Sequence, residues 1–372
     1  MTMHPSKTDN PLMPKAVYFL AILLASVTFV PTAAHAGLFG NQLMVNGAGA
    51  TFPYPLYSKW FAEYQKLHPG IAINYQAIGS GGGIRQLLDE TVDFGASDVP
   101  MTDEQLKQAP RSVVHIPATS GAIVMTYNLP PLKSPIKLTG AIIADIYQKK
   151  ITKWTDPRLL ELNPELKTLF AQGSDANGSN ADILVVHRAD GSGTSAVFTE
   201  YLSKVSESWK KEVGHGTALR WPTGIGGKGN DGVTSFVKQI PGSIGFVELV
   251  FAKTLKLPYA LLENSRHEWV DASMESVTAA AEGALKDMPE DFRTSIIQRN
   301  APNAYPISSF TYLLIPAKAP ADDHGQYRAI LDFMKWGLTE GQKLSPALFY
   351  APLPKALVDR ILKRVNQLEG TK

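Results

Sequence analysis

The chain has 372 residues, of which 44% are hydrophobic and 19% charged, with a formal net charge of +2 and no cysteine. The apolar content is in the globular range, and at roughly 150 residues per domain the length suggests two domains. A near-neutral charge gives no support to nucleic-acid binding, and the lack of cysteine excludes disulfides, thiolate metal sites, cysteine nucleophiles and a cysteine-linked lipid anchor.

The N-terminus has the pattern of a secretory signal peptide. Two lysines precede an apolar run from Ala16 to Val30, and Ala34-His35-Ala36 then offers a cleavage site before Gly37. This order of charge, short apolar run and small residues is typical of a cleaved leader. The run of 15 residues is shorter than the roughly 20 that a membrane-spanning helix needs. We expect a signal peptide over residues 1–36, a mature chain that begins at Gly37, and a periplasmic location.

Strands and helices alternate in the first third of the mature chain. Period-two alternation indicates strands, and apolar residues three or four apart indicate helices. In chain order the predicted elements are a strand at Met44–Asn46 ending in a turn at Gly47–Gly49, a helix after Pro53, a strand at Ile71–Gln76, a glycine turn at Gly79–Gly83, a helix at Ile84–Glu90 and a strand at Val92–Ala96.

A second series of alternating elements follows a breaker at Asn128–Pro131. Its predicted members are a strand at Ala122–Met125 just before the breaker, a helix at Gly140–Tyr147, a strand at Ile183–Val186, a helix after Gly193, a late strand at Thr311–Ile315 and two closing amphipathic helices. Gly173–Asn180 is interpreted as a surface loop. Repeated strand–turn–helix units predict an α/β fold with a mostly parallel sheet flanked by helices.

Three turns rich in glycine and hydroxyl residues each precede a predicted helix, at Gly47–Pro53, Gly79–Gly83 and Asp190–Ser195. Glycine lets the backbone approach a ligand closely, and the start of a helix points free amides and a partial positive charge at it. One such turn is weak support for a site, because serine and threonine are also good helix caps. Three in one exported chain favour an oxyanion site.

Charged residues beside these turns sharpen the hypothesis. Arg188 precedes the third turn and can reach the same anion with its guanidinium, and Asp190 can hold that arginine. Asp98 follows the strand at Val92–Ala96, at the sheet edge where doubly wound folds bind ligands. A carboxylate beside an anion site makes sense only if the ligand carries a proton for it to accept.

Several blocks of the chain together resemble a known family. They are Gly47–Pro53, Ile78–Gly83, Val92–Asp98, Arg188–Ser195 and Gly224–Gly232. The chain is similar, from about residue 45 to near residue 365, to the periplasmic phosphate-binding proteins of high-affinity phosphate ABC transporters. It differs from the family pattern in a longer Gly173–Asn180 loop, in His187 where a second basic residue is expected, and in Gly81 where serine is common.

The resemblance implies a two-lobed periplasmic-binding-protein-like fold, each lobe a mostly parallel sheet flanked by helices. Lobe 1 would be discontinuous and comprise residues 37–116 and 313–372. Lobe 2 would comprise residues 129–302. Two hinge crossings would join the lobes, at residues 117–128 and 303–312.

The resemblance also implies the phosphate-binding residues. These are the amide donors Thr51 and Phe52, with the Thr51 hydroxyl added, the hydroxyl and amide donor Ser80, the proton acceptor Asp98, the charged donor Arg188, the lobe 2 donors Ser192, Gly193 and Thr194, and Asp190 as the partner that holds the arginine. No cofactor, metal or catalytic residue is expected. The implied partners are inorganic phosphate, arsenate as a mimic, and the membrane permease subunits of a phosphate ABC transporter, with the protein itself a monomer.

Other classes of function remain open at this point. A secreted phosphate-ester hydrolase would need a nucleophile such as Ser192, but Thr194 stands where the G-x-S-x-G elbow requires glycine. The eight histidines show no metal-binding spacing. Gly224–Gly229 matches a dinucleotide fingerprint, yet Trp221-Pro222 precedes it in place of a strand, so a tight turn before a helix is the better interpretation. A sulfate- or molybdate-binding protein, disfavoured by Asp98, and a secreted adhesion protein are the remaining alternatives.

Overall fold

The structure is a computed structural model and describes residues 42–129, 131–171 and 181–370. The expected signal peptide at residues 1–36, Gly37 and the Gly173–Asn180 loop lie outside these ranges. The strands are β1 (Leu43–Gly49), β2 (Ile71–Ala77), β3 (Phe94–Ser97), β4 (Val113–Tyr127), β5 (Lys137–Leu138), β6 (Leu184–Arg188), β7 (Ile225–Gly227), β8 (Ser243–Glu248), β9 (Leu261–Glu263), β10 (Trp269–Val270) and β11 (Ser308–Pro316).

The α-helices of the described ranges are α1 (Tyr54–Leu67), α2 (Ser80–Leu88), α3 (Asp103–Gln108), α4 (Gly140–Tyr147), α5 (Pro157–Leu162), α6 (Glu165–Ala171), α7 (Gly193–Val205), α8 (Glu207–Glu212), α9 (Gly229–Gln239), α10 (Leu249–Thr254), α11 (Met274–Glu282), α12 (Gln326–Thr339) and α13 (Lys355–Glu369). None of these described helices has the length and apolar character needed to cross a membrane.

Eight strands form one sheet in the order β2-β1-β3-β11-β4-β8-β6-β7. The strands at both ends run parallel: β1 pairs with β2 and β3, and β6 pairs with β7 and β8. The pairings through β11 and β4 in the centre are antiparallel. The prediction of a mostly parallel sheet is therefore right for both flanks, and the antiparallel centre results from the late strand β11 and the long strand β4.

The long strand β4 joins two halves of this sheet. Its residues Val113–Ala122 pair with β11, and its residues Ile123–Tyr127 pair with β8. We call β2, β1, β3, β11 and the first part of β4 the first half-sheet, and the second part of β4 with β8, β6 and β7 the second half-sheet. The sequence prediction of a strand at Ala122–Met125 is too short. The preceding residues from Val114 to Gly121 are also strand, and all of them are buried in the sheet.

The Gly47–Gly49 segment is strand and not the predicted turn. A Cβ atom at Gly47 would lie 2.1 Å from Cζ of Phe94, and one at Gly49 would lie 2.0 Å from the carbonyl oxygen of Ala96. The glycines therefore allow β1 to lie close against residues of β3, a role that the local sequence does not distinguish from a turn.

The predicted glycine turn at Gly79–Gly83 is mostly the start of a helix. Helix α2 begins at Ser80, so the glycines at 81–83 form its first turn, and Gly79 precedes it with a φ of +90°. A Cβ atom at Gly83 would lie 2.4 Å from Cα of Gly49, so glycine is required for α2 to approach β1. Strand β3 also begins two residues later than predicted.

The other predicted elements are confirmed with small shifts of their ends. They are the helix after Pro53, the strand at Ile71–Gln76, the helix at Gly140–Tyr147, the strand at Ile183–Val186, the helix after Gly193, the late strand at Thr311–Ile315 and two closing amphipathic helices. Trp60 of α1 is buried, and its indole N–H donates to the carbonyl oxygen of Gly341 at 2.8 Å. This contact ties the first helix to the C-terminal part of the chain.

Candidate functional site

The residues that the sequence analysis singled out meet at one place, between the carboxyl ends of strands from both half-sheets. Thr51 and Phe52 follow β1, Ser80 follows β2 and Asp98 follows β3, while Arg188 ends β6. The start of α7 lies opposite them. All are buried: Thr51, Phe52, Ser80, Asp98, Arg188, Ser192, Gly193 and Thr194.

Asp98 is a nearly solvent-free carboxylate among hydroxyl donors. Its Oδ1 accepts from Thr311 Oγ1 at 3.0 Å, and its Oδ2 lies 3.5 Å from Ser80 Oγ. Burial raises the pKa of Asp98 to about 7, against the lowering effects of the Thr311 hydrogen bond and the Arg188 charge. Near neutral pH this carboxyl is therefore close to the point where it exchanges a proton.

Arg188 is held in place by its neighbours. Its Nε and Nη2 donate to the two carboxylate oxygens of Asp190 at 2.8 and 2.5 Å, and its Nη1 donates to Thr194 Oγ1 at 3.2 Å. Burial works to raise the pKa of Asp190, but the hydrogen bonds and charge of Arg188 outweigh it and hold that pKa below its ordinary value. Gly229 N–H also donates to Asp190 Oδ1. The pair thus fixes one guanidinium at the site with little freedom to move.

Free amides converge on the same space. No described residue accepts a hydrogen bond from the backbone N–H of Phe52, Ser80, Gly193 or Thr194. Ser192 differs from them, because its N–H donates to the carbonyl oxygen of Thr217 and its Oγ caps α7 by accepting from Ser195 N–H. Only the hydroxyl hydrogen of Ser192 is left for a ligand. Amides, hydroxyls and one guanidinium together form a cradle for an oxyanion.

Segments that follow strands of the first half-sheet contact segments that follow strands of the second half-sheet at this cradle. Gly81 N–H donates across the gap to the carbonyl oxygen of Gly191 at 2.9 Å. A Cβ atom at Gly193 would lie 2.2 Å from Ser80 Oγ and 2.7 Å from Asp98 Oδ2. The donors of both halves are thus already close enough to surround one small anion.

Sequence reasoning missed two residues that belong to this cluster. Thr311, on β11, donates to Asp98 and was predicted only as part of a strand. Asn230, at the start of α9, donates from Nδ2 to Thr51 Oγ1 at 3.1 Å and is fully buried. The signal for Asn230 was present, since it lies in the glycine-rich block Gly224–Gly232, just before a helix as at the other three turns.

Besides Asp98 and Asp190, a third carboxyl, that of Glu248, lies near the site. The sequence analysis did not indicate it. It ends β8, it is fully buried, and its Oε2 accepts from Val250 N–H at 2.9 Å. Its Oε1 has no hydrogen-bond partner among the described residues. Burial, and to a smaller degree the charge of Asp98, hold the pKa of Glu248 well above its ordinary value. This carboxyl therefore holds its proton more tightly than a solvent-exposed glutamate does.

Two features of the sequence that suggested other chemistry have other roles in the structure. The ring of His187 stacks on Trp221 with centroids 4.9 Å apart, so it does not point at the anion site. Gly224–Gly229 contains the short strand β7 and then starts α9, and no described group of three or more His, Asp or Glu residues is arranged to hold a metal ion.

This fold and anion cradle define a solute-binding protein of the PBP superfamily, whose domain model matches residues 31–340. The chain is 43% identical over 322 residues to the phosphate-binding protein PstS of Xylella fastidiosa, covering 86% of this chain and 84% of the relative. It is 41% identical over 324 residues to PstS of Haemophilus influenzae, covering 87% and 92%. The PstS of Methanocaldococcus jannaschii is 35% identical over 400 residues, covering 99% of both. The chain belongs to the family of PstS phosphate-binding proteins.

Solved structures support the same two-lobed fold. A high affinity periplasmic phosphate-binding protein with bound phosphate superposes with a TM-score of 0.65 at 19% identity, covering 86% of this chain and 93% of the neighbour. The phosphate-binding protein of Stenotrophomonas maltophilia gives a TM-score of 0.62 at 18% identity, covering 86% and 93%. At this identity the likeness establishes the architecture.

Proposed function

We propose that the protein binds inorganic phosphate in the cleft between its two lobes and delivers it to the membrane permease of an ABC transporter for phosphate uptake. The observation that carries this proposal is the buried carboxyl of Asp98, which faces the hydrogen-bond donors of the cradle among the described residues. The relatives named PstS support the same ligand.

The donor set suits a phosphate ion. Phosphate near neutral pH is a mixture of mono- and dianion, and each form still carries at least one hydrogen. The amides of Phe52, Gly193 and Thr194, the neighbouring hydroxyls and the Arg188 guanidinium can occupy the acceptor positions of its oxygens. Only one full positive charge is used, and Asp190 already balances it.

Asp98 makes the site selective for phosphate, because it disfavours anions that carry no hydrogen. It accepts the hydrogen that phosphate carries, whereas fully ionised sulfate has none to offer. The unmatched contact between carboxylate and oxyanion costs about 1–3 kcal/mol or more, which corresponds to discrimination of roughly fivefold and upward. Arsenate is protonated like phosphate and is expected to bind as a mimic.

The lobes would close on the anion. We place lobe 1 at residues 37–116 and 313–372, lobe 2 at 129–302, and the crossings at 117–128 and 303–312. The change of partner within β4 at Ala122 and Ile123 supports the first crossing. Phosphate can touch both sets of donors only in the closed form, so it shifts the population toward closure, and the closed form is what the permease recognises.

Export and a non-enzymatic role complete the proposal. The sequence pattern at residues 1–36 supports a cleaved signal peptide and a periplasmic protein, which we take to act as a monomer without a cofactor. Ser192 is a poor nucleophile candidate, because its Oγ caps α7 and no histidine contacts it among the hydrogen bonds of the described residues. Binding and release, without bond cleavage, is the chemistry that this arrangement supports.

The test is titration calorimetry on the mature chain, unfolded and refolded to remove carried-over anion. Phosphate is expected to bind tightly with one-to-one stoichiometry, arsenate to compete with it, and sulfate to give no heat. Tight binding of sulfate would refute the role of Asp98 and favour a different oxyanion. No binding of any oxyanion would refute the proposal and favour an adhesion protein, and release of phosphate from an ester would favour a hydrolase.

A further inference from the structure

Asn230 connects the two half-sheets beside the anion cradle. It is the second residue of α9, a helix that packs against the second half-sheet, and its side chain is fully buried. Its Nδ2 donates to Thr51 Oγ1 of the first half-sheet at 3.1 Å, and its backbone N–H lies 3.4 Å from the same oxygen. This contact between residues 179 positions apart links the halves through protein atoms alone.

The orientation of the Asn230 carboxamide is determined by a third residue. Its Oδ1 accepts from the backbone N–H of Glu248 at 3.2 Å. If the carboxamide were flipped, its NH₂ group would face the Glu248 N–H, and two donors would oppose each other in a buried place. Glu248 N–H therefore directs the NH₂ group of Asn230 toward Thr51.

The contact with Asn230 makes the Thr51 hydroxyl a donor toward the cradle. A threonine hydroxyl offers one hydrogen and can accept two. Thr51 Oγ1 accepts from Asn230, and no described residue accepts the hydroxyl hydrogen of Thr51 in return. The hydrogen is left to point into the cradle.

Thr194 presents its hydroxyl oxygen to the same carboxamide from the opposite side. Its Oγ1 accepts from Arg188 Nη1 at 3.2 Å and lies 3.5 Å from Asn230 Nδ2. One carboxamide thus faces the hydroxyl oxygens of two threonines, one from each half-sheet. Both oxygens accept hydrogens from protein groups, so each hydroxyl can act toward a further group only as a donor. The Thr51 hydroxyl hydrogen faces the cradle, and the Thr194 hydroxyl lies within hydrogen-bonding reach of the Asp98 carboxylate at the edge of the cradle.

We propose that Asn230 is a positioning residue that orients the Thr51 and Thr194 hydroxyls as donors to the bound oxyanion and links that orientation to closure of the two halves. The inference rests on the proposed function. Because the Asn230–Thr51 bond requires both halves to be together, the full donor set exists only in the closed form. An open form would leave the Thr51 hydroxyl free to rotate.

A double-mutant cycle tests this role by phosphate calorimetry. Asn230→Ala is expected to weaken phosphate binding about tenfold, or 1.4 kcal/mol. In a Thr51→Val background, which removes the hydroxyl, the same change is expected to cost less than threefold. In a Thr51→Ser background, which keeps the hydroxyl, the cost is expected to return to about tenfold. A change that merely loosened the fold would cost the same in all three backgrounds.

Two further variants serve as control and safeguard. Asn163→Ala removes another buried asparagine of the chain, whose side chain bonds to Lys137 and Leu159 away from the cradle, and is expected to leave phosphate affinity within twofold. Asn230→Asp keeps an acceptor for Glu248 N–H but offers Thr51 an acceptor in place of a donor. It is expected to weaken binding more than Asn230→Ala, and it remains informative if the alanine variant fails to fold.

Equal costs of Asn230→Ala in the Val and Ser backgrounds would overturn the inference, as would a smaller effect of Asn230→Asp than of Asn230→Ala. Those results presuppose that the unaltered chain binds phosphate tightly. If the unaltered chain does not bind phosphate, the proposed function fails first and the inference fails with it.

Discussion

Replacing Gly193 with alanine is expected to weaken phosphate binding without destabilising the anion-free protein. The new Cβ atom would lie 2.2 Å from Ser80 Oγ and 2.7 Å from Asp98 Oδ2, whereas ordinary contacts begin at 3.4 Å. The two halves would have to separate by about 1.2 Å at this point, the difference between 3.4 and 2.2 Å, because a packed interior has no free space to absorb a methyl group. Alanine keeps the backbone N–H, so any loss reports on closure and not on a missing donor.

Gly193→Ala is expected to destabilise the closed, anion-bound form but not the open, anion-free form. Overpacking of this kind costs about 1–3 kcal/mol, which corresponds to roughly 5- to 150-fold in the dissociation constant. The cost arises only where Ser80 and Asp98 face α7, in the closed form. In the anion-free open form, alanine at the start of a helix is neutral or favourable by up to about 1 kcal/mol relative to glycine.

The assay combines phosphate calorimetry with urea unfolding of the anion-free protein. Gly70→Ala is the matched control, since a Cβ atom there meets nothing within 4 Å. It is expected to leave the phosphate affinity unchanged. Unchanged affinity in Gly193→Ala would refute the reasoning that closure brings these surfaces into contact. A lower unfolding free energy equal to the lost binding energy would show that the substitution damages the fold instead.

Three other outcomes are expected. Asp98→Asn should weaken the exclusion of sulfate much more than it weakens phosphate binding; a competition titration in which sulfate is still fully rejected would contradict the proton-acceptor role. Arg188→Ala should lower phosphate affinity by several kcal/mol, since a buried charge-assisted contact is lost, and a calorimetric change below about tenfold would count against direct contact. Because burial raises the pKa of Asp98 from 3.8 to about 7 in the structure, the folded protein with its two halves together holds this proton more tightly than the unfolded chain. The unfolding free energy of the unaltered protein should therefore fall by a few kcal/mol between about pH 4 and pH 7, on the order of 1.4 kcal/mol per pKa unit. The Asp98→Asn variant should not show this fall. Urea unfolding that gives the same pH dependence for both proteins would contradict the burial of this carboxyl.

Much of the site was predictable because its parts are local. A glycine, a hydroxyl residue and the start of a helix within a few positions are enough to identify an anion-binding turn. The turn at Asp190–Ser195 and its arginine are organised almost wholly by neighbours: Ser192 caps α7, and Asp190 binds Arg188 two residues away. Such short-range patterns can be interpreted without knowing the rest of the fold.

The extents of the strands and the roles of the glycines were less predictable. Gly47 and Gly49 look like turn residues by composition, but their function is to make room for Phe94 and for the backbone of Ala96. Only Ala122–Met125 was predicted as strand, yet β4 extends over Val113–Tyr127, because β11 pairs with its first part and β8 with its second part. In both cases the deciding contacts come from residues far along the chain.

The amino-acid sequence by itself determined the fold class, the glycine and hydroxyl turns at the helix starts, and the placement of Asp98 after a strand, because these depend on spacing along the chain. Tertiary structure alone decided which distant residues complete the site. Thr311 reaches Asp98 across 213 positions, and Asn230 reaches Thr51 across 179. It also decided the proton affinity of Asp98 and Glu248, because the cost of charging a carboxyl depends on how completely the folded chain removes it from water.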